Sequence, residues 1–166
     1  MQTEPPREKL YWEDLQVGEV RDLGTITPTR EEIMAFATQF DPQPFHLDPE
    51  AARRSLLGGL AASGWHTCCL TMLLVTENIL KDSTGVGAPG IDECKWLKPV
   101  RPGDRLRMKM TVVEARPSKS KPDRGSVLHL WEAYNQNGEL VLSMQGWGMF
   151  LRRNPPPPDA APGTAA

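Results

Sequence analysis

The sequence is poor in cysteine, with three among 166 residues and two of those adjacent at Cys68 and Cys69. Such spacing fits neither a disulfide framework nor a paired C-x-x-C metal site, so the thiols are expected to be reduced and buried. Long apolar runs are also missing: the longest, Cys68 to Val75, is broken by Thr71 and falls far short of the ~20 residues that span a bilayer. Neither sign of charge dominates. Lys and Arg number 19 against 21 Asp and Glu, a net charge of -2, which excludes a basic nucleic-acid binder and predicts neither a nucleic-acid nor a membrane partner. The start, MQTEPPREKLYW, carries acids and prolines where a signal peptide has a basic end and an apolar run, and a cytoplasmic protein is expected. What is present is enough hydrophobic residue, 39%, for one packed domain. That domain is expected over residues 1–153, followed at 154–166 by a disordered tail, NPPPPDAAPGTAA, with nothing to bury.

Local patterns order the chain. A short strand is expected at Val20 to Ile26. Thr29 followed by Glu32 forms a capping-box pattern, and Ile33, Phe36, Ala37 and Phe40 recur at helical spacing, so a helix is predicted from Thr29 to Phe40, with Pro42 barring its continuation. A loop through Pro44 and His46 leads to Asp48-Pro49, an N-cap and first-turn proline that open a brief helix to Ser55. Gly64 to Leu80 is apolar on most sides and is expected to be a buried helix. Strands follow at Ile91–Val100, Asp104–Arg116, Ser126–Asn135 and Glu139–Arg152, separated by turn chemistry such as Asn137-Gly138. In the second of these, Leu106, Met108, Met110 and Val112 alternate with Arg105, Arg107, Lys109 and Thr111, giving one wet face and one core face. The predicted class is α+β, an antiparallel sheet covering one central helix. An open sheet leaves edge strands unpaired, so a homodimer is expected.

Candidate chemistry gathers at two points. Asp41 and His46 lie on a segment stiffened by Pro42 and Pro44, and Asp41 sits at a helix C-terminus, where the dipole is expected to raise its pKa. Asp48 is explained by its cap role. The run GLAASG ends in Ser63 and Gly64 at the start of the apolar helix, where unpaired N–H groups can stabilise an oxyanion. His66, one turn in, is expected to be structural. Trp65, Trp96 and Trp147 fit either a core or the wall of a pocket. His66 and His129 have no ligand-like spacing with each other or with Cys94, and no metal or other cofactor is expected.

The stretch Phe36 to Ala51, FATQFDPQPFHLDPEA, resembles the hydratase-2 motif of MaoC-like dehydratases and (R)-specific enoyl-CoA hydratases. GGLAASGWHT and PGIDECKWLKPVRPGDRL are similar to that family's central-helix start and to the strand and turn that follow, so the resemblance runs from about Tyr11 to Arg152. It implies a hotdog fold, a dimer, and an acyl-CoA thioester substrate of fatty acid metabolism. By this resemblance Asp41 matches the acid/base aspartate, His46 the histidine sharing the catalytic water, and Gly64 the glycine whose N–H receives the thioester oxygen. Ser63 and Trp65, on either side of Gly64, are expected to contact substrate. One departure is Gln43, where the family usually has asparagine. The implied reaction is hydration of a 2-enoyl-CoA to a 3-hydroxyacyl-CoA. The alternatives are a non-catalytic acyl-thioester binding module and an acyl-CoA thioesterase on the same fold.

Overall fold

The computed structural model describes residues 9–157. Most of the expected tail, 158–166, lies outside the described residues, as does 1–8. Strand β1 (Val20–Ile26) is followed by helices α1 (Arg30–Phe40), α2 (Pro44–Leu47), α3 (Pro49–Arg53) and α4 (Gly64–Val75), then by strands β2 (Gly85–Trp96), β3 (Leu106–Pro117), β4 (Arg124–Tyr134) and β5 (Leu140–Leu151). The five strands form one sheet in the order β1-β3-β4-β5-β2, every neighbouring pair antiparallel. Because β1 and β2 occupy opposite edges, the helical segment joining them crosses the face of the sheet.

That face is the core. Met108, Met110 and Val112 of β3, Val127 and Trp131 of β4, and Leu142, Met144 and Phe150 of β5 pack with Leu70, Val75 and Ile79 from the helical layer. Each such side chain, once fully buried, contributes about 1.5–3 kcal/mol. The outward residues of β3 are wet, as the alternation predicts, and Arg107 pairs there with Asp22 of β1. Helix α1 begins on the expected box: Thr29 Oγ1 accepts the Glu32 N–H at 3.1 Å, and Glu32 Oε2 accepts the Thr29 N–H at 2.8 Å. It ends when Asp41, with φ −151° and ψ 67°, leaves the helix ahead of Pro42.

Several expectations are corrected: the thiols are not buried, with Cys69 exposed and Cys68 and Cys94 only partly covered, and the expected loop through Pro44 and His46 is the helix α2. The long helix keeps α geometry only to Val75; Thr76–Leu80 is a π-helical turn. It is buried on one side rather than most sides, since Trp65, Met72 and Leu73 are 59%, 39% and 50% exposed. The sheet reaches one flank of α4, and no described residue covers the other. Finally, β2 starts at Gly85, ahead of the expected Ile91, because Gly85, Gly87 and Gly90 pair with Phe150, Met149 and Trp147 across two register shifts. It ends at Trp96, before Pro99. The other strand ends move by at most two residues.

Candidate functional site

The short helix α2 turns His46 inward against the start of α4. Pro44 at its first turn fixes the backbone, and His46 is only 6% exposed. Its Nδ1 lies 2.8 Å from the Ala61 carbonyl oxygen. A carbonyl only accepts, so this contact assigns the proton to Nδ1 and leaves Nε2 with a free lone pair in the neutral ring. Nε2 in turn faces Asp41 Oδ2 at 3.6 Å, beyond hydrogen-bond length. Two acceptors therefore point at each other across a short gap.

Asp41 is held in its charged form, contrary to the expectation from the helix dipole. The Ser63 hydroxyl is the largest influence lowering its pKa below the usual carboxylate range; the Gln43 amide adds to it, as does the charge of the His46 ring when that ring is protonated, and burial opposes them. Gln43 Nε2 donates to Asp41 Oδ1 at 2.7 Å, so the longer amide is directed onto the carboxylate oxygen that faces away from His46. Hydrogen bonds donated to a carboxylate outweigh a dipole that a solvated helix end screens.

Ser63 is fully buried and caps α4, its Oγ accepting the Trp65 N–H at 3.2 Å. The first bond of the helix runs from the Thr67 N–H to the Ser63 carbonyl, and the Gly64 N–H precedes it. Gly64 and His46 line one pocket of about 260 Å³, together with Phe45, Thr67, Trp96 and Lys98. Glycine is required at this point, because a Cβ on Gly64 would fall 2.4 Å from Trp96 Cε2. Trp65 lies outside the pocket, 59% exposed, with its ring edge-on to Trp96 at 5.2 Å. Of the three tryptophans that sequence left open, Trp96 is the wall of this pocket. The His66 ring is buried and stacks on Phe36 at 4.6 Å, and burial pushes its pKa down.

Sequence reasoning missed Arg101. Its guanidinium donates to the carbonyls of Leu57, Gly59 and Leu60, which lie more than 40 positions away. It thereby clasps the loop that delivers Ser63 and Gly64. The only sequence signal was an arginine ahead of Pro102-Gly103, between two predicted strands. A wider groove of about 860 Å³ on the far side, lined by Arg105, Arg107 and Lys109, contains none of these groups. No group of three or more His, Cys, Asp or Glu among the described residues is placed to hold a metal ion, and none of the described helices is long and apolar enough to cross a membrane.

The family described as MaoC like domain matches residues 14–129. A MaoC-like dehydratase from Rhodospirillum rubrum has the same fold at a TM-score of 0.82 and 46% identity, covering 87% of this chain and 99% of that one. YdeM of Bacillus subtilis, an uncharacterized protein, is 27% identical over 130 residues, or 78% of this chain and 91% of its own. Mesaconyl-CoA hydratase of Cereibacter sphaeroides is 41% identical over 73 residues, 44% of this chain; that match takes in only 21% of the enzyme. The sheet wrapped on a central helix is the hotdog fold.

Proposed function

The chain belongs to the MaoC-like domain family, and from that premise we propose that it adds water reversibly to the double bond of a 2-enoyl-CoA thioester, giving the 3-hydroxyacyl-CoA. The observation that carries this reading is the facing pair of acceptors, Asp41 Oδ2 and His46 Nε2, 3.6 Å apart beside a helix start. One water molecule satisfies both by donating one hydrogen to each, which leaves an oxygen lone pair free for attack. As that oxygen bonds to carbon 3, one proton passes to Asp41 and the π electrons move toward carbon 2 and the thioester oxygen. The Gly64 N–H, at the positive end of α4, receives the charge on that oxygen. Asp41, an acid of lowered pKa once protonated, returns the proton to carbon 2, so the sum is one added water. Mesaconyl-CoA hydratase supports a short enoyl-CoA as the substrate to try alongside crotonyl-CoA.

We place the reaction in a pair of copies. Trp65 and Leu73 on α4 and Ile91 and Trp96 on β2 are 48–59% exposed, and Trp65 and Trp96 touch edge-on, so this is apolar surface that a second copy would cover.

The test is loss of enoyl-thioester absorbance with crotonyl-CoA and mesaconyl-CoA. Asp41→Asn keeps shape and removes the base, and a kcat loss of at least ~10² is expected. His46→Ala is expected to be comparably slow. The double mutant should fall little further, because both groups act on one water. Full activity in Asp41→Asn would refute the assignment. Free thiol released from saturated acyl-CoA, with no hydration, would replace hydration by hydrolysis.

A further inference from the structure

Helix α4 and strand β2 meet in two adjacent rungs. At the first, the Trp96 ring lies against Gly64, so close that a Cβ on Gly64 would fall 2.4 Å from it. At the second, Cys68 Sγ and Cys94 Sγ are 3.6 Å apart, although 26 positions separate the residues in sequence. The rungs match because the two elements run in opposite directions at similar spacing. Four helix residues from Gly64 to Cys68 rise about 6 Å, and two strand residues from Trp96 back to Cys94 rise about 6.6 Å.

Sulfurs at 3.6 Å are in contact, and a disulfide needs them at about 2 Å. The remaining approach meets little resistance. Strand β2 lies at the end of the sheet with β5 as its one neighbour, and the outer flank of α4 is open at Trp65, Met72 and Leu73. Both cysteines are partly exposed, so a small oxidant reaches them.

The two thiols are not equivalent. Burial and the neighbouring Cys68 push the Cys94 pKa up to about 12, so Cys94 keeps its proton and directs it toward the Cys68 sulfur. Cys68 is then the sulfur that attacks first.

We propose that Cys68 and Cys94 are a redox pair that a hydroperoxide converts to an intrachain disulfide, and that this bond locks Trp96 over Gly64 at the mouth of the pocket. The Cys68 sulfur bonds to the outer peroxide oxygen, the O–O bond breaks, and the other oxygen leaves as water or an alcohol with the Cys68 proton. Cys68 is now a sulfenic acid. The Cys94 sulfur then bonds to the Cys68 sulfur, the S–O bond breaks, and the hydroxyl leaves as water with the Cys94 proton. Two electrons have passed from the thiols to the peroxide. The bond itself is independent of the hydration reading, and its effect on rate rests on that reading.

The test treats the full chain with hydrogen peroxide and follows intact mass, peptide mapping after alkylation, and amide hydrogen exchange. Free thiols should fall from three to one, with the mass of two hydrogen atoms lost, Cys68 joined to Cys94, and Cys69 still open to alkylation. Exchange in 64–68 and 94–98 should slow at least fivefold, and dithiothreitol should reverse every change. Cys69→Ser should behave like the native chain, whereas Cys68→Ser and Cys94→Ser should lose no hydrogens. Three thiols surviving in the native chain, or a bond to Cys69 or to a second chain, overturns the proposal whether or not the variants fold. A Cys68–Cys94 bond with unchanged exchange overturns the lock. Crotonyl-CoA hydration should fall at least fivefold in the oxidised form, and equal rates in the two forms of an active protein also overturn the lock. A protein that hydrates nothing in either form refutes the hydration reading instead, and mass and exchange still decide this one.

Discussion

His129 makes the stability of this fold depend on pH in a direction set by burial. Its ring is 3% exposed, and its pKa is pushed from the ordinary 6.5 to about 4. In the unfolded chain the ring regains its ordinary value, so between pH 6.5 and 4 the unfolded state binds more protons than the folded one. Stability therefore rises with pH across that window; it is fully present above 6.5 and is lost as pH falls toward 4. The gap of about 2.5 pH units, at about 1.36 kcal/mol each, is worth about 3 kcal/mol, a large share of the stability of a domain. Carboxylates with lowered pKa, Asp22 and Asp41 among them, also lose stabilising partners on acidification, so the total loss in the unaltered protein is larger. Replacing His129 with Phe isolates the one contribution. Urea unfolding at pH 7 and pH 4 should show the native sequence losing about 3 kcal/mol more than His129→Phe, since the carboxylates are common to both. At pH 7 the variant should be no less stable, because it sheds orphaned nitrogens. Equal losses in the two proteins would refute the argument: the ring would then be reaching water or a partner that neutralises the cost of burial.

Other outcomes follow from the same contacts. Gly64→Ala places a Cβ against the Trp96 ring and should cost about 1–3 kcal/mol in thermal or urea unfolding, with part of it regained in Gly64→Ala/Trp96→Leu. If Trp96→Leu recovers nothing, the ring is not what demands glycine. Arg101→Met keeps the aliphatic stem and abandons three carbonyls, so a loss of about 1.5–3 kcal/mol and a fall in hydration rate are expected; a rate equal to the native one would remove Arg101 from the positioning of Gly64. Light scattering at micromolar concentration should give twice the chain mass or a multiple, and Leu73→Asp should shift it toward one chain; a fully active native monomer would exclude the pairing.

What the sequence made legible was chemistry acting over a few residues. Thr29 and Glu32 fix the start of α1, Pro42 its end, Asn137-Gly138 a hairpin, and the alternation of β3 its inner face. What was not legible depends on partners far along the chain. The Gly85–Gly90 stretch has the composition of a loop and is a strand only because β5 lies beside it. The dipole argument for Asp41 was sound locally, yet Ser63, brought in from the start of α4, reverses its sign. Proline at Gly64 would look harmless from helix rules, but the indole of Trp96 leaves no room for a ring there. Alternation could point His129 inward; that it has no partner there depends on the neighbours that β5 and the helical layer bring to it.

The two sheet edges differ in what they would permit an assembling chain to do. On β1 the register shifts between Asp22 and Gly24, and Arg21 and Asp22 put charge on the short strand. A bent, charged edge is a poor template for another strand. On β2 the outer edge is straightest from Glu93 to Trp96, while Pro89 contributes no N–H to either side. If two copies meet at β2, each uses its one receptive edge on the other through the same patch. Growth then ends at closure: a further chain would find only β1, so the fold that carries an open sheet also sets a limit on polymerisation.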